Sequence, residues 1–333
     1  MLIARAKSRI SLLIALVVVI ALAGGVWAVL RSDIFGRKGS GLGNEWTYDI
    51  SNLRKTDPNL VHYVQAASFK AGFEYPRALA IDSKGTLYVG GDNEVRAVDA
   101  DGNVTRTIRL ADSPRALACA AEGSLFVATK EHVEIYDAAG TLETRWGSLG
   151  EKAQITSIAV ANEDVFVGDA GNRVVVHYDR SGKVLGQIGR RDKDRGIPGL
   201  ILPSPHLDVA VDGQGLLRVS NPGMWRIETY TFKGDLELFW GSSSMTDIAG
   251  FCGCCNPTDF AILPDGRFVT SEKGLVRVKV YSADGKFDCV VAGPETFDKD
   301  AEGLDLAVDA KGRIYVLDGA AKTVRVFAPK GRK

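Results

Sequence analysis

Residues 75–102 read YPRALAIDSKGTLYVGGDNEVRAVDADG, and residues 113–140 read SPRALACAAEGSLFVATKEHVEIYDAAG. Both carry the same pattern: an apolar run with alanine near its centre, then two β-branched or aromatic runs, each run followed by a polar turn. Looser copies occupy 155–182, 205–234, 256–285 and 302–331. All six align on one alanine: Ala80, Ala118, Ala159, Ala210, Ala261 and Ala307. The runs are too short for helices and are bounded by Asp-Gly, Lys-Gly and Ser-Gly, so they predict strands. A fourth run follows the last turn: VTRTIRL, TLETRWG, KVLGQIG, DLELFWG and KFDCVVAG. Four strands in a repeat of roughly 40 to 50 residues is the arithmetic of a propeller blade. The small alanine suits the innermost strand, where blades crowd towards the axis. The expected fold is therefore all-β, a six-bladed β-propeller over 60–333. The sixth copy ends at Lys333 after three strands. Its fourth is expected from LVHYVQAASF, Leu60 to Phe69, which would close the ring and cover an open edge.

The repeat resembles the NHL repeat, which runs proline, two residues, aliphatic, alanine, aliphatic, aspartate, then glycine, aliphatic, Tyr-Val, aspartate and a final strand. Pro76 to Asp82 with Leu87, Tyr88 and Val89 carries the resemblance, as does Leu306 to Asp309 with Ile314, Tyr315, Val316 and Asp318. The chain is also similar to bacterial membrane-anchored NHL proteins, through the opening Tyr48 to Tyr63 and the GCCNP run Gly253 to Pro257. The resemblance implies the fold. It implies no single function, because relatives include binding modules, scaffolds, lyases and lactonases.

Ahead of the repeats, Ile10 to Leu30 contains no charged residue. Twenty-one residues at about 1.5 Å each span the roughly 30 Å hydrocarbon layer of a bilayer. Arg5, Lys7 and Arg9 precede the run, and Arg31, Arg37 and Lys38 follow it, so flanking charge alone does not orient it. The short N-terminal tail favours residues 1–9 inside, 10–30 as a signal-anchor and the rest exported, on the periplasmic side of a bacterial inner membrane. Cleavage after Ala21-Leu22-Ala23 is the rival expectation, although the apolar stretch continues through Trp27 and Leu30. Residues 31–59 read as a spacer, with four glycines between Gly36 and Gly43.

Lys plus Arg equals Asp plus Glu at 41 each, which argues against a nucleic-acid partner, since that would need a basic face. In a propeller the blade-to-blade loops share a face with the starts of the inner strands. The long loops 190–206, 242–257 and 293–303 fall there. Two positions before the repeated alanine stand Ser157, Asp208, Asp259 and Asp305. Just past the second strands stand Asp169, Asn221, Glu272 and Asp318, and Arg77 and Arg115 sit at the first two strand starts. Such an oxygen-rich mouth suits Ca²⁺ or another hard cation. The alternative is that these aspartates cap strand ends as part of the repeat. Of the four histidines only His206 falls at the mouth, which argues against a three-histidine zinc site.

Cys252, Cys254 and Cys255 lie in the loop entering the fifth blade, and Cys289 lies in that blade's outer strand. Export would favour a disulfide from Cys252 or Cys254 to Cys289, whereas clustered sulfurs would suit a thiolate-bound metal or a redox dithiol. Cys119 reads as a buried small hydrophobe. No Cys-x-x-Cys-His occurs, so covalent haem attachment is not expected. The leading expectation is a membrane-tethered binding or sensing module for a protein or small-molecule ligand. A metal or redox protein centred on the cysteine loop comes second. A lactonase-like metal-dependent hydrolase comes last, since no nucleophile–base pair is visible.

Overall fold

The computed structural model describes residues 54–298 and 301–331, together with Leu16, Val17, Val19, Ile20, Ala21, Leu22 and Gly24. These last seven are helical and, taken by themselves, exposed. Among the described residues no helix is long and apolar enough to cross a membrane. Most of the expected span 10–30, and the spacer up to residue 53, lie outside the described residues.

Among the described residues, twenty-four strands form six four-stranded antiparallel sheets. The first blade contains β2 (Pro76–Ile81), β3 (Leu87–Gly91), β4 (Glu94–Val98) and β5 (Val104–Arg109). The second contains β6 (Ala116–Cys119), β7 (Leu125–Ala128), β8 (Val133–Tyr136) and β9 (Leu142–Arg145). The third contains β10 (Ile155–Ala161), β11 (Asp164–Asp169), β12 (Val174–Asp179) and β13 (Val184–Ile188). The fourth contains β14 (Val209–Val211), β15 (Leu217–Asn221), β16 (Arg226–Tyr230) and β17 (Leu236–Trp240). The fifth contains β18 (Asp259–Ile262), β19 (Phe268–Glu272), β20 (Arg277–Tyr281) and β21 (Phe287–Ala292). The sixth pairs β22 (Leu304–Val308), β23 (Ile314–Asp318) and β24 (Thr323–Pro329) with β1 (Tyr63–Lys70), in register from Tyr63 opposite Pro329 to Lys70 opposite Thr323. The N-terminal strand thus closes the ring, with bounds close to those expected.

The turns explain the regularity. Asp82 Oδ1 accepts from the backbone N–H groups of Lys84 and Thr86 at 2.9 and 2.8 Å, and Gly85 takes the left-handed conformation with φ +85°. Asp99, Asp137, Asp179, Asp212 and Asp309 repeat these bonds. An aspartate closing an Asx turn, with glycine tolerating positive φ three residues later, fixes each of these six hairpins. The core then forms between blades. Phe126 and Val133 pack with Ile155 and Val165, while Leu79 and Val89 pack with Tyr315, Leu317 and Val324 across the closing seam. Each sheet buries both faces against neighbours, so the second and third strands are buried almost throughout.

Candidate functional site

The inner strands of all six blades begin at one cavity of about 510 Å³. Asp208, Asp259, Asp305, Arg77, Arg115 and His206 line it. The three aspartates form latches between blades. Asp208 Oδ2 accepts the Phe260 N–H at 2.8 Å, and Asp259 Oδ1 accepts the Leu306 N–H at 3.1 Å. Asp305 Oδ2 accepts the Leu79 N–H, so the series runs from the fourth blade through the sixth to the first. The third blade uses a neutral version, in which Thr156 Oγ1 donates to the Leu207 carbonyl at 2.6 Å. Ala78 and Ala116 offer no such latch in the first two blades.

Asp208 is buried, while Asp259 and Asp305 keep part of their surface towards the cavity. Enclosure among the blades pushes Asp208 and Asp305 up to about 7. Enclosure and the neighbouring charges of Asp208 and Asp305 raise Asp259 well above the ordinary carboxyl value. Asp259 is therefore the mouth carboxyl that keeps its proton most readily, with Asp208 and Asp305 as its charged neighbours. Opposite them, Arg77 is exposed and Arg115 half-buried. Neither guanidinium has a hydrogen-bond or ion-pair partner among the described residues. Burial, and then the Arg77 charge, depress the Arg115 pKa. Burial and then the Lys273 ammonium push His206 down to about 4, so it is neutral at pH 7.

Four residues expected at the mouth are placed elsewhere. Asp169 accepts the Gln154 N–H at 2.9 Å, and Asn221 accepts the Ile201 N–H at 2.9 Å. Glu272 accepts the Cys252 N–H at 2.8 Å, and Asp318 accepts the Asp298 N–H at 3.0 Å. Each is buried at the end of a second strand and holds the loop that enters its own blade. In the first blade Asp92 does the same for Glu74 and Tyr75, at 3.0 and 2.9 Å. These side chains are therefore loop anchors. None of the four lines the cavity, which corrects the expectation that they join the aspartates there. Glu272 also pairs with Arg277 and Lys279, both at 2.8 Å.

All five cysteines are free. The expected disulfide to Cys289 is not formed. Cys289 is buried with Tyr63 and Val280 in the core between the fifth and sixth blades, away from the loop anchored by Glu272. In the loop, Cys252 Sγ lies 3.5 Å from Met245 Sδ, and Cys254 Sγ lies 3.1 Å from Cys255 Sγ. Among the described residues, neither the loop cysteines nor the mouth aspartates belong to a group of three His, Cys, Asp or Glu ligands within 4.8 Å of one another. His62, Asp288 and Cys289 do form such a group. Sequence reasoning missed it because the convergence comes from a bulge. Tyr281 pairs with Phe287 and Val280 with Cys289, which leaves Asp288 as the extra residue and re-aims its side chain. Asp288 is also paired with Arg267 at 2.7 Å.

No protein-family model matches the chain, and no curated protein matches it in sequence. Solved structures do match in shape. A Bacteroides thetaiotaomicron protein of unknown function is 18% identical, with a TM-score of 0.60 over 80% of this chain and 72% of that one. The WD40 β-propeller domain of Doa1 is 15% identical, with a TM-score of 0.55 over 77% of this chain and 79% of that one. A streptogramin B lyase is 9% identical, with a TM-score of 0.55 over 80% of this chain and 98% of that one. At these identities the likeness establishes the fold alone, a β-propeller, and the strand pairing gives it six blades.

Proposed function

We propose that the protein is a binding or sensing module of the NHL type whose ligand site is the central mouth. The observation that carries this reading is the polarity of the cavity. Two guanidinium groups without partners face one side, and three enclosed carboxyls that retain protons near neutrality face the other. A small acid carrying a second hydroxyl or amine group would satisfy both sides. Arginine suits the anionic end because its planar donors match carboxylate and phosphate oxygens. The carboxyls each hold a backbone amide, which supports binding over hydrolysis of the lactonase kind.

The test is a panel of small carboxylic and phosphoric acids screened by thermal shift on the full-length protein, followed by calorimetric titration of the best. A ligand of the folded state raises the melting temperature by mass action. Arg77→Ala with Arg115→Ala should abolish that rise, whereas His132→Ala, away from the mouth, should keep it. Unchanged binding in the double variant would place the ligand elsewhere. The uncharged run 10–30 supports a membrane tether with the propeller outside the cytoplasm. A reporter fused after Lys333 that is active in the cytoplasm would refute that orientation.

A further inference from the structure

We propose that Cys254 and Cys255 form a reversible dithiol–disulfide couple beside the mouth, exchanging two electrons with an external disulfide. Their sulfurs already touch at 3.1 Å, and the two side chains differ in access: Cys254 is exposed and Cys255 buried. The loop that presents them is held from several sides. Asn256 is fully buried, accepts the Lys273 N–H at 2.8 Å and donates to the Lys273 carbonyl at 3.1 Å. Trp225 Nε1 donates to the Gly253 carbonyl at 2.5 Å, and Glu272 holds the Cys252 N–H. The pair is therefore pre-positioned.

Charge distinguishes the sulfurs. Burial raises the Cys255 thiol, but hydrogen bonds from Ser204 and Cys254 and the Lys273 ammonium outweigh it and hold the thiol below its ordinary value. The Lys273 ammonium donates to Ser204 Oγ at 2.9 Å, so lysine, serine and sulfur form one polar group. The hydrogen bond to Cys255 raises Cys254. The first proton is thus lost more easily at Cys255 and the remaining one is shared between the two sulfurs, which favours thiol–disulfide exchange because the thiolate is the nucleophile. The absence of a third His, Cys, Asp or Glu within 4.8 Å among the described residues favours this chemistry over a metal centre.

Cys254, the accessible sulfur, passes its proton to Cys255 and attacks the external disulfide. A mixed disulfide forms and one external thiolate leaves, taking that proton back from Cys255. Cys255, again a thiolate, then attacks the Cys254 sulfur. The internal bond forms, the second external thiolate leaves, and two electrons have passed from the protein to the external disulfide. Lys273 then lacks its sulfur counter-charge. Ser204, its partner, directly precedes the stretch Pro205 to Asp208 that lines the cavity, so the couple reports to the mouth.

The experiment uses full-length protein, reduced, freed of reductant and exposed to oxidised glutathione at pH 8. The remaining thiols are alkylated and the peptides mapped by mass. The expected result is a peptide carrying Cys254 and Cys255 that is lighter by two hydrogens, without a glutathione adduct, and restored by dithiothreitol. Cys255→Ser should trap glutathione on Cys254, and Lys273→Met should move the pH profile of oxidation to higher pH. A phenylarsenical of trivalent arsenic should protect both thiols of the wild-type protein from alkylation, a readout independent of any variant. Full alkylation of both cysteines after oxidant and after arsenical, or a stable adduct on Cys254 in the wild type, would overturn the proposal.

Discussion

Replacing Asp259 with asparagine should stabilise the propeller, and by a larger margin at pH 8 than at pH 5. Asp208 and Asp305 have folded-state values of about 7, and Asp259 lies higher. In the unfolded chain an aspartate titrates near 3.9, so between about pH 4 and 7 the folded state binds more protons than the unfolded one. These groups therefore contribute stability that is fully present below the unfolded value and is lost as pH rises through the folded values. A rise from about 3.9 to about 7, at 1.36 kcal/mol per pH unit, makes the loss on the order of 4 kcal/mol for one such acid. That figure is a ceiling, since water in the cavity screens the charge. Asparagine keeps the latch of the protonated acid, because its oxygen can accept the Leu306 N–H, and its amide is uncharged like the protonated carboxyl. It also removes one of the three charges that must otherwise develop. Recovery of about 1 kcal/mol would raise the midpoint by about 2–4 °C in a domain of this size. Calorimetric melts at pH 5 and pH 8, at one ionic strength, measure the difference. Equal destabilisation at both pH values would mean that Asp259 is ionised in the native mouth, and the reasoning would fail.

Two further outcomes follow from the packing. Glu272→Ala leaves Arg277 and Lys279 buried without their shared carboxylate and also frees the Cys252 N–H. A broken buried ion pair costs about 3–5 kcal/mol, so the urea midpoint should fall sharply, and a loss below about 1 kcal/mol would show the network to be dispensable. Removal of residues 1–70 deletes β1 and exposes the whole of β24 as an unpaired edge. Sedimentation should then show association, and a monomer that melts like the intact propeller would disprove closure by the N-terminal strand.

The fold was legible because the blade is a local object. Many hairpins close on a glycine three residues after the turn's first residue, an aspartate in six of them, and the strands between are short β-branched or aromatic runs, so six copies of one pattern specify six sheets. Closure was legible for a related reason: a copy lacking one strand requires a donor, and only one unassigned apolar run remained. The mouth was legible in part. Asp208, Asp259 and Asp305 occupy a position that the repeat points at the axis, and the structure brings them to one cavity with Arg77 and Arg115. Asn221, Glu272, Asp169 and Asp318 share a repeat position too, but polarity at a strand end does not distinguish a ligand from a loop anchor. The long loops contain backbone amides that need acceptors, and the nearest strand end supplies them. The cysteines show the same limit from the other side. Sequence places Cys254 beside Cys255 and, on an extended strand, would send them to opposite faces. The bent loop held by Asn256 and Trp225 brings their sulfurs together, whereas Cys289, on the same blade, is enclosed by the closing strand. Contacts within a repeat follow from the repeat. Contacts made by a loop that departs from it depend on which buried amide each side chain satisfies, and that is a property of the assembled ring.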